Sequence, residues 1–294
     1  MCYLINAGFA KVLKPCVPLQ WLQPKVFPHK LGIMDCFFRS HLARHRTTWV
    51  NLNNGIRWKL DMMDSCHRWI VYGDYESVFF HRWLKEHIPK NGVIIDSGAN
   101  IGQFVIFFAP LVPNGMVVAV EPVDFALEWL RECLKANSFL NVDVVQGALG
   151  EKKEMAGIEI IGCTAGNSRI KTGDSTQSVV VYPLVELCHD KKIRYIDLWK
   201  LDVEGYELQA LKGAEPLLRS QSVGALWMEM HNGHGESRAL CRHLQELGYR
   251  CYLFDSYGNL RESTADKLPP FSYGLYLPAN KIQHDNVVRG VVTD

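Results

Sequence analysis

Five carboxylates and a histidine stand at or just beyond the ends of apolar runs: Asp96, Glu121, Asp202, Glu204, Glu229 and His231. The most informative is Asp96, which closes Val93-Ile94-Ile95 and is followed at once by Ser97-Gly98-Ala99-Asn100-Ile101-Gly102. Gly98 and Gly102 allow a tight turn and close backbone approach, and the helix that follows offers unpaired N–H groups. A pyrophosphate would be repelled by an aspartate at this point, whereas a cationic or hydroxyl-bearing ligand is attracted by it. The dinucleotide fingerprint also has glycine where Asn100 stands, which disfavours a nicotinamide cofactor. S-adenosylmethionine meets both conditions, with a sulfonium, an ammonium and a ribose but no phosphate. The competing reading is a turn that only packs a helix on a sheet.

The remaining acids extend the same site. Glu121 follows Asp96 by 25 residues, at the end of Met116–Val120, where it can accept hydrogen bonds from both ribose hydroxyls. Gln146 and Ala148, after Val142–Val145, would line the adenine, unless they form an ordinary turn. In Leu201-Asp202-Val203-Glu204-Gly205, strand alternation sends Asp202 and Glu204 to one side. One acid would hold the methionine ammonium and the other would act as base or orienter for an incoming hydroxyl. Alternatively Glu204 caps the helix near Tyr206. Glu229 faces the substrate and His231 is a second candidate base. Asp202, Glu229 and His231 could instead hold a divalent cation, although no spaced pair of histidines supports this. Tyr75-Glu76 either close over the cofactor or cap a helix.

These residues need a scaffold that gathers strand ends. Val93–Asp96, Gly115–Glu121 and Val142–Val145 read as buried strands, with helices at Phe104–Leu111 and Asp124–Asn137 between them. Strand and helix alternate again at Ile196–Val203, Tyr206–Leu218, Ala225–Met230 and Glu236–Leu247, stopped by Gly248. The expected class is α/β with a doubly wound, mostly parallel sheet, closed by an antiparallel pair at Tyr249–Phe254 and Phe271–Leu277. Between residues 152 and 190 a two-stranded excursion interrupts the pattern. Upstream, Trp49–Leu60 alternates on both sides of Asn53-Asn54-Gly55, the signature of a hairpin. Residues 1–45 contain Pro15, Pro18, Pro24 and Pro28 among aromatics, which predicts an irregular segment rather than a long helix. The expected division is therefore 1–72 as an N-terminal extension, 73–282 as the catalytic domain and 283–294 as a tail.

Composition narrows the partners. Lys and Arg number 32 against 31 Asp and Glu, a balance without the basic footprint of a nucleic-acid binder. Nine cysteines without a Cys-x-x-Cys pair point to reduced thiols rather than a disulfide framework or zinc ribbon. The apolar start lacks a preceding basic region, and no run approaches the roughly twenty apolar residues that span a bilayer. The expectation is a cytoplasmic protein acting on a small molecule.

Asp96-Ser97-Gly98-Ala99-Asn100-Ile101-Gly102, Glu121-Pro122, Leu201-Asp202-Val203-Glu204-Gly205-Tyr206-Glu207 with Leu211-Lys212-Gly213-Ala214, and Tyr75-Glu76 together resemble the FkbM family of S-adenosylmethionine-dependent methyltransferases. The resemblance covers about residues 72–277. It implies a class I methyltransferase fold, Rossmann-like, with a seven-stranded sheet whose last strand is antiparallel, and O-methylation of hydroxyls on sugars, glycolipids or polyketide-type products. It marks Asp96, Gly98, Asn100, Gly102 and Glu121 as cofactor contacts and Asp202 and Glu204 as cleft acids. Ser97 stands where the family more often has valine. The reading is an O-methyltransferase acting on a small hydroxylated acceptor; a metal-dependent variant and an inactive cofactor-binding module are the alternatives.

Overall fold

A computed structural model describes residues 29–44, 46–51, 55–72, 78–160, 169–171, 177–231, 236–255, 257–269 and 271–280. The chain divides into two compact units, one of residues 1–84 with 131–138 and one of 85–130 with 139–294.

In the first unit, helix α1 (Lys30–Leu42) precedes a hairpin of β1 (Thr47–Asn51) and β2 (Arg57–Asp61) and helix α2 (Ser65–Tyr72). The hairpin pairs antiparallel as its alternation requires, with Trp58 and Leu60 buried; the turn residues 52–54 lie outside the described residues. Helix α1 overturns the expectation of an irregular segment up to residue 45. All four prolines precede it, so its own residues carry no barrier to helix. A buried arginine fastens it: Arg68 reaches both carboxylate oxygens of Asp35 at 2.6 and 3.2 Å and the carbonyls of Met62 and Met63. Helix α3 (Val78–His87) then leads toward the second unit.

The second unit is built on strands that read as continuous apolar runs because both their faces are covered. These are β3 (Val93–Ser97), β4 (Met116–Glu121), β5 (Val142–Gln146), β10 (Leu198–Leu201) and β11 (Leu226–His231). Helices α4 (Val105–Leu111) and α5 (Asp124–Asn137) connect the first three, the last residues of α5 grouping with the first unit. With β12 (Tyr249–Phe254), β13 (Leu260–Ser263) and β14 (Phe271–Pro278), the sheet order is β13-β12-β14-β11-β10-β3-β4-β5. From β3 the chain winds outward through β4 and β5, and from β10 it winds the other way through β11. The switch point therefore lies between β3 and β10, where Leu201 pairs with Ser97.

The sheet has eight strands rather than seven. The expected antiparallel pair is present as β12 (Tyr249–Phe254) and β14 (Phe271–Pro278), β14 inserting between β11 and β12. The polar connection between them adds β13 (Leu260–Ser263), hairpinned on β12. The excursion after β5 is also larger than expected. It forms a four-stranded sheet of β6 (Ala148–Leu149), β9 (Gln177–Tyr182), β7 (Glu154–Glu159) and β8 (Arg169–Lys171), followed by α6 (Leu184–Asp190). The single helix expected over Tyr206–Leu218 is two, α7 (Glu207–Gly213) and α8 (Glu215–Arg219), with Pro216 at the start of the second. Helix α9 (Glu236–Glu246) ends before Gly248, whose φ is +86°.

Candidate functional site

The turn after β3 is strongly constrained. Gly98, Asn100 and Gly102 all have positive φ, at 76°, 49° and 91°. Asparagine is among the few side-chain-bearing residues that adopt this region readily, which explains Asn100 where a glycine might be expected. The space left by the missing side chains is used by the protein itself. A Cβ on Gly98 would lie 1.8 Å from the Asp202 carbonyl oxygen, and one on Gly102 would lie 2.7 Å from Leu130 Cδ1.

The amides of the turn are also committed. The N–H groups of Gly98 and Ala99 both donate to the Val120 carbonyl, Gly102 N–H donates to Ala99 and Asn100 N–H donates to Glu121 Oε2 at 2.7 Å. Four groups that would cradle a phosphate are thus already partnered. The commitment of these four amides, with the carboxylates of Glu121 and Asp202 close by, fits a phosphate-free, hydroxylated cation such as S-adenosylmethionine.

Glu121 is buried at the end of β4, its other oxygen accepting from Val123 N–H at 2.9 Å. Each carboxylate oxygen keeps a lone pair for a ribose hydroxyl. Burial pushes this carboxyl up to about 7, against the pull of the two amides. Gln146, level with Glu121 across β4 and β5, is exposed and donates to Asp124 Oδ1 at 2.6 Å. Gln177 donates to the same oxygen. Ala148 packs in the core of the second sheet with Ile158, Val179 and Val181.

Beneath the turn lies a residue that the sequence reading passed over. Lys200, on β10 and 2% exposed, places Nζ 3.3 Å from Asp96 Oδ1, 3.4 Å from Asp202 Oδ2 and 3.0 Å from the Gly98 carbonyl it donates to. The same ammonium sits 5.0 Å from the centre of the Phe104 ring. Burial alone would lower its pKa, but the carboxylates of Asp202 and Asp96 more than reverse this and hold it above its ordinary value. Asp96 is fully buried and neither of its oxygens has an aligned hydrogen bond, so its contact with Lys200 is ionic. Burial raises Asp96 to about 6 and Lys200 opposes the rise. The only available sequence signal was a lysine inside an otherwise apolar strand, Leu198-Trp199-Lys200-Leu201.

Asp96 is therefore closed off from solvent. Asp202 is half-buried and accepts a hydrogen bond from Tyr273 Oη of β14 at 3.0 Å. The Tyr273 ring stacks on Trp227 of β11, 5.4 Å between centres. The alternation expected of Asp202 and Glu204 does not operate, because β10 ends at Leu201 and Glu204 lies in a loop with φ +53°. Glu204 does not cap α7 either. The N-cap position of α7, Tyr206, has no side-chain cap, and Glu207 instead turns back on the loop before the helix, its Oε1 accepting from the N–H groups of Val203 and Gly205 at 3.2 Å each. The loop carrying Glu204 is thus held by a neighbouring acid.

Glu229 joins this group from β11. Burial raises its carboxyl to about 9, and the charge of Asp202, a hydrogen bond to it, and the charge of Glu204 add to the rise. Glu229 accordingly holds its proton more firmly than an ordinary carboxyl, with Asp202 as a hydrogen-bond partner. The His231 backbone ends β11, but its side chain lies outside the described residues, as does all of Tyr75-Glu76. Among the described residues no group of three His, Cys, Asp or Glu side chains is arranged to hold a metal ion. Among them also, no helix is long and apolar enough to cross a membrane.

The chain is 27% identical over 175 residues to "Methyltransferase sdnD" of Sordaria araneosa, spanning 48% of this chain and 68% of that protein. It is 22% identical over 149 residues to "Methyltransferase 1" of Beauveria bassiana, spanning 43% and 60%. Among solved structures, the METTL16 MTase domain aligns with a TM-score of 0.47 at 9% identity, over 86% of this chain and 93% of that one. M. jannaschii TYW2 in complex with AdoMet aligns with a TM-score of 0.38 at 14% identity, over 79% and 85%. The Methyltransferase FkbM domain matches residues 96–251, which run from Asp96 through the loop of Asp202 and Glu204 to Cys251. With more than half of its length in that match, the chain belongs to the FkbM family of S-adenosylmethionine-dependent methyltransferases.

Proposed function

We propose that the protein transfers a methyl group to a hydroxyl of a small molecule such as a sugar, a glycolipid or a polyketide-type product, with the catalytic domain running over residues 73–282. The observation that supports this most is the gathering of Asp202 and Glu204, in the loop after β10, with Glu229 of the neighbouring β11, whose carboxyl is shifted up by burial and by the charges of Asp202 and Glu204. When bound, S-adenosylmethionine supplies an electrophilic methyl group on a good leaving group. Glu121 binds the ribose hydroxyls. Asp202, oriented by Tyr273, attracts the ammonium end.

A hydroxyl is a poor nucleophile until it begins to lose its proton, and a carboxylate at the opening can accept that proton as attack proceeds. Glu204 is the base in this reading, with His231 as the other candidate. Glu229, whose proton is held more firmly than an ordinary carboxyl's, hydrogen-bonds with Asp202 and orients it. General-base assistance of this kind contributes about 10²–10⁴-fold, alignment and water exclusion supplying the rest.

The test is transfer of labelled methyl from S-adenosylmethionine to a panel of sugars, glycolipids and phenolic polyketides, with amine and RNA acceptors alongside. Label appearing in an ether linkage is the expected result. Label only in amines or in RNA would refute the hydroxyl assignment while leaving the family intact.

A further inference from the structure

Most class of interaction at this site runs between carboxylates and a ligand; the interaction between Lys200 and the turn is of another kind, because it is entirely internal. Lys200 is almost completely enclosed, and its Nζ meets three groups belonging to two different segments. Asp96 and the Gly98 carbonyl belong to β3 and its turn, and Asp202 belongs to the loop after β10. These two segments are in direct contact, since Asp202 N–H donates to the Ser97 carbonyl at 3.2 Å and the Gly98 Cα region presses on the Asp202 carbonyl.

Without a cation between them, Asp96 and Asp202 would be two carboxylates crowding one low-dielectric point. Like charges so placed cannot both stay ionised without cost. With the cation present, Asp96, Lys200 and Asp202 sum to a single negative charge. It resides on Asp202, the one of the three whose side chain reaches the opening, at 19% exposure against 0% and 3%.

We propose that Lys200 is a positioning residue for cofactor binding. It neutralises Asp96 from beneath, pins the Gly98 carbonyl and so holds the turn and Asp202 in the one arrangement that presents a single negative charge to a cationic nucleoside. This rests on the reading of the turn and Asp202 as the cofactor seat. Lys200 touches no reacting atom; it acts through Asp96, Gly98 and Asp202.

The test is a double-mutant cycle read by calorimetry with S-adenosylhomocysteine on the full chain: wild type, Lys200→Met, Asp96→Asn and the double variant. Each single variant is expected to weaken binding by at least about tenfold, because Lys200→Met leaves Asp96 buried without its cation and Asp96→Asn leaves Lys200 to cancel the charge of Asp202. The double variant again carries one net negative charge on Asp202. It is expected to bind within about threefold of the single variants rather than showing the roughly hundredfold loss of two independent effects. A role in filling volume would not produce this recovery, since the double variant lacks the lysine stem as well. If Lys200→Met does not fold, as judged by circular dichroism, a double variant that folds and binds is the expected outcome, and one that stays unfolded overturns the proposal. Unchanged affinity in Lys200→Met, or additive losses, overturns it too while leaving the cofactor seat standing. Failure of the wild type to bind at all would remove both.

Discussion

Ser97 shows how one residue's departure from the family pattern is absorbed. Its hydroxyl, fully buried at the end of β3, accepts a hydrogen bond from Trp199 Nε1 at 2.8 Å, so the two residues are matched across β3 and β10. Ser97→Val should leave the indole N–H buried without a partner. The expected cost is about 1–3 kcal/mol of unfolding free energy, measured by denaturant titration, with affinity for S-adenosylhomocysteine changed less than about threefold. Glu204 is the opposite case, the side chain proposed as the base. Its left-handed backbone is the kind of strain that persists where surrounding structure over-determines it, here through Glu207. Glu204→Gln should lower kcat by at least about tenfold and leave cofactor affinity unchanged, because the amide is isosteric but cannot take the proton. Unchanged turnover would move the base role to His231.

At the scale of elements, the site is made where the turn after β3 meets the loop after β10. The two are interlocked by a backbone clash that only glycine avoids. Gly98→Ala places a Cβ 1.8 Å from the Asp202 carbonyl oxygen at a residue whose φ is +76°, so both segments must move. The expected outcome is loss of S-adenosylhomocysteine binding by more than about a hundredfold together with a lowered melting temperature, seen by calorimetry and thermal unfolding. Gly205 provides an internal control. Its φ is +93°, but a Cβ there would meet nothing within 4 Å, so Gly205→Ala carries conformational strain alone and should cost binding much less.

At the scale of the molecule, the second unit holds two buried acids and one half-buried acid whose pKa values all rise: Asp96 to about 6, Glu121 to about 7 and Glu229 to about 9. A raised carboxyl binds its proton more tightly in the folded state, so its stabilising effect is complete below the ordinary carboxylate range and is lost as pH climbs through the raised value. Asp35 and Asp255 act in the other direction. Arg68 lowers the first and the Asn259 N–H lowers the second, so their contributions disappear in acid. The melting temperature should therefore peak near about pH 5 and fall steadily toward about pH 9. Glu229→Gln should flatten the fall above about pH 7, since no proton is left to lose there. A metal-free mechanism also has a molecular readout: activity retained after exhaustive chelation is expected, and its loss with recovery on adding magnesium would restore the divalent-cation alternative.

Much of this organisation was legible in the chain itself. Apolar runs that stop at an acid mark strands buried on both faces, and their alternation with amphipathic helices dictates a doubly wound sheet. Asp96, Glu121, Asp202 and Glu229 were found for the same reason, because polar residues at the ends of such runs have little packing role. What escaped were relationships between distant segments. The eighth strand and the four-stranded excursion depend on pairing partners chosen by register, which short β-rich pieces do not encode locally. The helix at Lys30–Leu42 was obscured by prolines that lie before it. Asp96 reads as a free charge next to a turn until the fold places Lys200 against it, from a strand about a hundred residues later. Spacing along a chain determines which residues reach the strand ends. Which charges then face a ligand and which cancel one another depends on burial and on distances of a few ångströms, and only the assembled sheet sets those.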